Sequence, residues 1–298
     1  MLDVRTPVLR PFALEGNFGL EREALRVTKD GRMAATPHPF PQDHPRIVRD
    51  FCENQTEINT GVHPTAAEAV AELERLNRTL LDRIEADGET LWTNSNPPPI
   101  SDESEIVPAR FNGAFAGKST YRDYLAEKYG KRLMAYCGIH VNFSFGERLV
   151  AASGVERDAL YLHVASQCLK WGWAIVALTA ASPSGRYATL RCSEEGYWNR
   201  FTPILDFSGA RAYARSIARY VQEGLLVAPS ELYYPVRLKP RGPNNLLTLA
   251  ERGVDHIEIR CVDLNPLTGG LVDVRDVEFI HLFMLWCAAQ GRDRKSVV

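Results

Sequence analysis

The sequence lacks the cysteine patterns of a metal-binding or disulfide-bonded domain. Its six cysteines are far apart, and none forms a CxxC pair or belongs to a cysteine-rich tract. Free cysteine is among the most buried residue types, and disulfides are rare in reducing compartments. We therefore expect buried free thiols, and neither a structural zinc site nor a disulfide framework.

Long apolar runs and an excess of charge are also missing. The longest apolar stretch, residues 171–181, is much shorter than the roughly 18 to 20 residues that cross a bilayer, so it predicts a buried helix. The N-terminus has no continuous apolar segment of the kind found in secretory signals. With 35 Lys and Arg against 37 Asp and Glu, the formal net charge is -2, which argues against a nucleic-acid partner. These features predict a cytoplasmic protein with no membrane partner.

Common nucleotide-binding and hydrolase motifs are absent. Residues 113–120 (GAFAGKST) resemble a phosphate-binding loop, but three residues separate the two glycines where the motif requires four. The sequence contains no GxGxxG, HExxH or GxSxG pattern. P-loop, Rossmann, zincin and serine hydrolase functions therefore have no support.

The chain is long and apolar enough to form a large core, with 298 residues of which 45% are hydrophobic. Helical periodicity predicts a helix over residues 64–86, where Thr65 and Glu68 have the form of a capping box. We expect further helices over residues 120–129, 156–180, 209–222 and 274–289.

Predicted strands carry acids, histidine, amides or arginine where a surface strand would carry ordinary polar residues. Side chains alternate between the two faces of a strand, so each strand places its polar members on one face. These strands are 18–27 with Glu21 and Glu23, 50–60 with Glu53, Gln55 and Glu57, 139–145 with His140, Asn142 and Ser144, and 256–259 with Glu258, followed by Arg260. Helices and strands mix without a regular βαβ order, which favours an α+β fold with a largely antiparallel sheet.

Carboxylates gathered on one sheet face repel one another and lose their hydration. A divalent cation relieves this cost, and several carboxylates with one imidazole suit Mg²⁺ or Mn²⁺. Enzymes also use Mg²⁺ held by a few carboxylates to bind nucleotide phosphates. The alternative is that each acid lies on a solvated strand and pairs with an arginine, as most single surface acids do. The recurrence of the pattern on several strands favours the metal site.

Two clusters, residues 191–197 (RCSEEGY) and 231–237 (ELYYPVR), combine arginine with tyrosine. Arginine binds carboxylates through paired hydrogen bonds, and phenols can shape a small pocket. The clusters fit a site for a small carboxylate substrate, although half-buried core tyrosines and surface arginines give the same pattern.

Seven motifs follow one another along the chain. They are GLEREALRV (19–27), DFCENQTEINT (50–60), YRDYLAEKYGKRLMAYCGIHVNFSF (121–145), KWGWAIVALTAASP (170–183), RCSEEGY (191–197), ELYYPVR (231–237) and HIEIRCVDLNP (256–266). In this order the sequence resembles bacterial glutamate–cysteine ligase, both the stand-alone enzymes and the ligase half of bifunctional glutathione synthases. The resemblance extends from residue 16 to residue 286. It implies a glutamine synthetase-like fold, in which a curved, mostly antiparallel sheet with flanking helices holds metal ions on its inner face.

The resemblance also implies roles for individual residues. It makes six side chains ligands of two or three Mg²⁺ ions that hold the phosphates of the substrate ATP, with Mn²⁺ as an alternative: Glu21, Glu23, Asp50, Glu57, His140 and Glu258. Asp50 is out of register with Glu57, so it needs a bulge or lies at the entry of the strand. It makes Glu258 and Arg260 the two catalytic residues. Arg260 is placed beside the transferred phosphate or the glutamate. The positions that match the acceptor cysteine pocket are Tyr121, Leu125, Arg191, Tyr197 and Tyr233.

The implied reaction has two steps and belongs to the start of glutathione biosynthesis. ATP phosphorylates the γ-carboxylate of L-glutamate, and the amine of L-cysteine then attacks the γ-glutamyl phosphate. The protein's own cysteines are not needed for this chemistry. The alternatives are a related carboxylate–amine ligase with another amine acceptor, and a non-catalytic module that binds glutamate or nucleotide.

The end of the sequence departs from the family, whose members continue well past the last matching motif. We therefore expect a single catalytic domain over residues 1–298 that lacks its C-terminal part. Residues 293–298 are interpreted as a non-native tail. A glutathione synthetase domain fused downstream is a further partner that the resemblance allows.

Overall fold

A computed structural model of the chain describes residues 2–291, so the interpretation of 293–298 concerns residues outside the described part. The centre of the fold is a seven-stranded sheet with the order β2-β3-β1-β5-β7-β6, in which β4 pairs with β1. The strands are β1 (Gly16–Thr28), β2 (Ile47–Arg49), β3 (Gln55–Asn59), β4 (Glu89–Trp92), β5 (Ile139–Phe145), β6 (Val236–Pro240) and β7 (Val254–Val262). Pairings between these strands are antiparallel, which confirms the predicted α+β class.

The helices in the described residues are α1 (Ala66–Glu85), α2 (Gly117–Tyr129), α3 (Lys131–Met134), α4 (Glu147–Ser153), α5 (Arg157–Trp171), α6 (Trp173–Thr179), α7 (Ala210–Gln222), α8 (Leu246–Arg252) and α9 (Val274–Ala289). The expected helix over 274–289 is present with its predicted ends, and those over 64–86, 120–129 and 209–222 are present with shifted ends. At the start of α1 the hydroxyl of Thr65 accepts a hydrogen bond from the backbone N–H of Glu68, as the capping motif predicts.

The single helix expected over 156–180 is wrong, because the chain forms α5 and α6 with Gly172 between them. A Cβ atom at position 172 would lie 2.4 Å from the carbonyl oxygen of Cys168, so only glycine fits this junction. The prediction of a buried helix at 171–181 is also wrong in part, since Trp173 and Leu178 are each 65% exposed. No helix among residues 2–291 has the length and apolarity needed to span a membrane.

The strand expected over 50–60 is shorter than predicted. Only Gln55–Asn59 pairs with β1, and residues 50–54 form a loop in which Cys52 makes an isolated bridge to Pro108. Glu53 therefore lies outside the strand, where its carboxylate is 3.1 Å from Arg49. The short strands β2, β4 and β6 and the helices α3, α4 and α8 were not predicted.

The two faces of the sheet have different surroundings. Phe18 on β1 and Phe143 on β5 both contact the ring of His281 in α9, and Arg22 on β1 bonds to Asn77 in α1. Even-numbered residues of β1 therefore face the helices. Odd-numbered residues of β1, including Glu21, point to the opposite face, which carries the predicted site.

Candidate functional site

Three predicted ligands converge where β1, β5 and β7 lie side by side. Glu21 is paired with His140, and Asn142, the next residue on the same face of β5, is paired with Glu258. Nδ1 of His140 lies 2.9 Å from Oε2 of Glu21, and the amide of Asn142 donates to Oε1 of Glu21 at 3.1 Å. Ligand atoms of Glu21, His140 and Glu258 all lie within 4.8 Å of one another.

Glu258 is 1% exposed and is surrounded by cations. Lys239 Nζ lies 3.0 Å from its Oε1, while Nη1 of Arg260 and Nε of Arg237 lie 3.3 Å and 3.8 Å from its Oε2. Burial raises the pKa of Glu258, but these cations outweigh it and hold the pKa well below its usual value. Neither carboxylate oxygen accepts a hydrogen bond of good geometry from residues 2–291, so both remain able to bind a ligand.

A second group of acids lies beside the first, towards the β2 edge of the sheet. Glu23 on β1 is paired with Glu57 on β3, and Oε1 of Glu23 is 3.9 Å from Nε2 of His140. Asp50 directly follows β2, where Arg122 lies 3.4 Å from its carboxylate. The predicted irregular position of Asp50 is thus a strand end followed by a turn.

Burial and repulsion between neighbouring carboxylates shift the pKa values in this second group. Burial and the neighbouring Asp50 raise the pKa of Glu57 to about 8. The same two causes raise the pKa of Glu23 well above its usual value. Burial, with the charge of Arg260, lowers the pKa of His140, which favours the neutral imidazole that binds metals.

The donor set fits hard divalent cations. Carboxylate oxygens with one neutral imidazole are ligands of Mg²⁺ and Mn²⁺, and buried acids with raised pKa values are relieved of repulsion when a cation replaces their protons. The raised pKa of Glu57 agrees with this fit, because a bound cation would relieve the repulsion that raises it. The six predicted ligands thus form two adjoining groups, one with Glu21, His140 and Glu258 and one with Glu23, Glu57 and the nearby Asp50.

A cavity of about 430 Å³ lies next to the acids. Arg260 belongs to its lining and also contacts Glu258, so it joins the cavity to the first group of acids. The other predicted residues in the lining are Arg191, Tyr197 and Tyr233, the last two with ring centroids 4.3 Å apart. The remaining walls come mainly from α6, from the end of α5 and from the chain before β6.

Arg191 is held in the cavity wall by an unusually close backbone contact. A Cβ atom at Gly138, the residue before β5, would lie 2.3 Å from the Cζ atom of Arg191. Arg191 is 5% exposed, and although burial lowers the pKa of its guanidinium, the nearby carboxylate of Glu23 helps to raise it above its usual value. The guanidinium therefore stays charged inside the wall.

Two predicted pocket residues lie on α2, outside the lining of this cavity. Leu125 is buried in the core, and the hydroxyl of Tyr121 accepts a hydrogen bond from Ser230 at 3.2 Å. Thus the structure brings three of the five predicted pocket residues, Arg191, Tyr197 and Tyr233, to the cavity itself.

Lys239 is a cation beside the site that the sequence interpretation missed. It opens residues 239–245 (KPRGPNN), whose proline-rich and polar composition is typical of a surface loop. Instead β6 includes Lys239 and ends at Pro240. Proline is tolerated there because β6 is the last strand in the sheet order. The alternation of buried Val236 and Leu238 with Arg237 and Lys239 could have predicted this strand.

Comparison with known proteins identifies one family. The model of the protein family described as glutamate–cysteine ligase matches residues 6–194 and 202–296. The glutathione biosynthesis bifunctional protein GshAB of Listeria monocytogenes is 34% identical over 94% of this chain and 41% of its own length. The protein of the same name from Clostridium perfringens is 31% identical over 95% of this chain and 41% of its length. The chain thus spans about two fifths of these relatives.

Solved structures agree with the fold. A bifunctional glutathione synthetase from Pasteurella multocida has a TM-score of 0.86 and 28% identity, over 95% of this chain and 40% of that one. A glutamate–cysteine ligase from Francisella tularensis has a TM-score of 0.84 and 24% identity, over 93% of this chain and 67% of that one. The second likeness concerns the fold alone.

Proposed function

Because the chain belongs to the glutamate–cysteine ligase family, we propose that its protein joins the γ-carboxylate of L-glutamate to the amine of L-cysteine at the expense of ATP. This is the first step of glutathione biosynthesis. The observation that carries the proposal is the position of Arg260. It lines the cavity and lies 3.3 Å from Glu258, so phosphoryl transfer and amine attack can take place at adjoining sites.

The acids supply the phosphate side of the reaction. Glu21, His140 and Glu258 form one proposed ligand group, and Glu23, Asp50 and Glu57 form another, for two or three Mg²⁺ ions. Bound Mg²⁺ neutralises charge on the nucleotide phosphates and the transferring phosphoryl group. The cations that surround Glu258, Arg237 and Lys239 among them, place positive charge on the β6 side of the same face.

The cavity supplies the acceptor side. We assign Arg191 to the acceptor carboxylate, and Tyr197 and Tyr233 to the walls around the rest of the amino acid, with Tyr121 and Leu125 supporting them from α2. Burial raises the pKa of both Tyr197 and Tyr233, so their hydroxyls remain protonated donors at neutral pH. Arg260 stabilises negative charge on the phosphoryl group as the amine attacks. No protein nucleophile is needed.

The proposal extends to the wider protein. Residues 2–291 are proposed to be part of one catalytic domain that acts in the cytoplasm, where ATP and reduced thiols are plentiful, in keeping with six free cysteines. A fused glutathione synthetase domain is supported by the names of the bifunctional relatives. Sequencing the gene beyond the codon for residue 298 tests the fusion.

A turnover assay tests the reaction. Phosphate release from ATP and glutamate is measured with L-cysteine, L-2-aminobutyrate and unrelated amines, and the product is identified by mass spectrometry. We expect γ-glutamylcysteine with cysteine. Release with unrelated amines alone would identify a ligase with another acceptor. Glutamate or nucleotide binding without any release would identify a binding module.

A further inference from the structure

A fully buried carboxylate lies behind the tyrosines of the cavity and outside its lining. Glu231 is 0% exposed, and it precedes Tyr233 by two residues. Its Oε1 accepts hydrogen bonds from Nζ of Lys128 and, at 2.7 Å, from the hydroxyl of Tyr129, both on α2. Its Oε2 accepts from the backbone N–H of Val227 at 2.6 Å. One side chain thus ties α2 to the segment that carries Tyr233.

Asn199 connects the same carboxylate region to the segment that carries Tyr197. Its amide nitrogen donates to the hydroxyl of Tyr129 at 3.1 Å and to the backbone carbonyl of Glu231 at 2.8 Å. Its amide oxygen accepts from the backbone N–H of Tyr233 at 2.8 Å. Asn199 is buried and satisfies three polar groups at once, so few other side chains could replace it.

The network ends on the rings that form the cavity wall. The ring of Tyr129 meets the ring of Tyr233 edge-on, with centroids 5.4 Å apart, and Tyr233 contacts Tyr197 at 4.3 Å. Three segments that are distant in sequence therefore meet at Glu231 and Asn199. Asn199 is linked to Tyr233 by a backbone hydrogen bond, and Glu231 is linked to it through the hydroxyl and ring of Tyr129.

We propose that Glu231 and Asn199 are positioning residues that fix the tyrosine wall of the acceptor site. The inference rests on the proposed function, because that function defines the cavity as the acceptor site. A buried carboxylate is a poor means of stabilising a fold, since apolar residues of similar volume often serve as well. It does specify one arrangement of its donors, and here those donors are the supports of Tyr233.

The test compares Glu231→Gln with Glu89→Gln. Glu89 is a matched control, because it is also buried and ion-paired, with Arg26, but it belongs to β4, and among residues 2–291 neither Glu89 nor Arg26 lines the cavity. Both variants lose a buried charge, so both are expected to unfold at a lower temperature. Only Glu231→Gln is expected to weaken acceptor binding, about tenfold, since a hydrogen bond to a buried charged group contributes energy of that order.

Two readouts separate positioning from general damage. Calorimetry gives the Kd for L-2-aminobutyrate in the presence of glutamate and a nonhydrolysable ATP analogue, and steady-state kinetics gives the KM of each substrate. We expect the acceptor Kd and KM to rise together, with the KM values of glutamate and ATP unchanged. Asn199→Ala, with the same expected pattern, replaces Glu231→Gln should that variant fail to fold.

The outcomes are distinct. Equal acceptor affinity in Glu231→Gln and Glu89→Gln overturns the positioning role. A rise in all three KM values also overturns it, because it indicates a general loss of structure. A wild-type chain that binds the acceptor without turnover contradicts the proposed reaction and leaves the comparison of affinities intact. A wild-type chain that binds no acceptor overturns both.

Discussion

Nδ1 of His140 lies 2.9 Å from Oε2 of Glu21, because the two residues are directly paired across β1 and β5. Two residues that are remote in sequence therefore share one proposed metal-binding position through strand pairing alone. Glu258 reaches the same position through its pairing with Asn142. Metal binding should consequently depend on side chains from three strands of the sheet.

Loss of one carboxylate should therefore weaken metal binding while leaving the fold intact. Glu21→Gln removes a charged ligand but keeps the shape of the side chain and an acceptor for the amide of Asn142. We expect Mn²⁺ affinity, measured by electron paramagnetic resonance, to fall at least about tenfold, with a similar loss of Mg²⁺-dependent turnover. Glu258→Gln should have the same effect.

Glu68→Gln is the control for these variants. Glu68 is an exposed acid on α1, away from the site, so its replacement tests the effect of losing one negative charge. Circular dichroism and the melting temperature report whether each variant is folded. Unchanged Mn²⁺ affinity in folded Glu21→Gln and Glu258→Gln would defeat the metal assignment.

The raised pKa of Glu57, about 8, predicts how the stability of the metal-free protein depends on pH. Between the usual pKa of the side chain and about 8, the folded protein keeps a proton that the unfolded chain releases. The free energy of unfolding should therefore fall as the pH rises through this window. Urea unfolding in the presence of a chelator, at several pH values between about 5 and about 8, measures the slope.

Glu57→Gln supplies the control for this slope, because glutamine does not titrate. The variant should show a shallower fall in stability over the same window, and a slope as steep as that of the wild type would contradict the assignment.

Metal ions should also release protons when they bind near neutral pH, since carboxylates must lose them first. Calorimetry in buffers with different ionisation enthalpies counts those protons.

The strands that carry the site differ in how well the sequence predicts them. The strand 139–145 was predicted with its observed ends, since it alternates strongly and lies between two partners. The short strands β2 and β6 depend on their neighbours for stability, and local propensity is a weak guide there. Lys239 was missed for this reason, because its proline-rich surroundings resemble a loop.

The supports of the cavity were harder still to predict. Glu231 and Asn199 meet Tyr129 only in the folded chain, and no period or spacing in the sequence connects them. The tyrosines themselves could be selected by their clustering with arginine and by family resemblance. Long-range hydrogen bonds of this kind become visible only with the structure.

Gly138 predicts a specific defect in the acceptor site. In Gly138→Ala the new Cβ would lie 2.3 Å from Cζ and 2.4 Å from Nη2 of Arg191, so the guanidinium must leave its position. We expect acceptor affinity to fall about tenfold and stability to fall by about 1 to 3 kcal/mol, as for other overpacked sites. Calorimetry with L-2-aminobutyrate and urea unfolding measure the two effects.

Gly117→Ala is the matched control for this substitution. A Cβ at Gly117, the first residue of α2, would meet no atom within 4 Å, so the variant should keep its acceptor affinity. Its stability should stay the same or rise slightly, because alanine favours a helix more than glycine does. Wild-type acceptor affinity in Gly138→Ala would show that the position of Arg191 does not matter for binding.

The six cysteines are expected to take no part in the chemistry. Five are buried and Cys192 is partly exposed in the cavity wall, so it is the one best placed to react. Burial raises its pKa, however, and raises that of neighbouring Cys261 to about 12, so both remain neutral thiols at pH 7. A thiol is a poor nucleophile compared with its thiolate, and the proposed reaction requires none from the protein.

Each Cys→Ser variant should therefore keep a turnover number close to that of the wild type, measured beside its melting temperature. Loss of turnover in a folded Cys192→Ser protein would contradict this prediction and would point to covalent catalysis at the cavity.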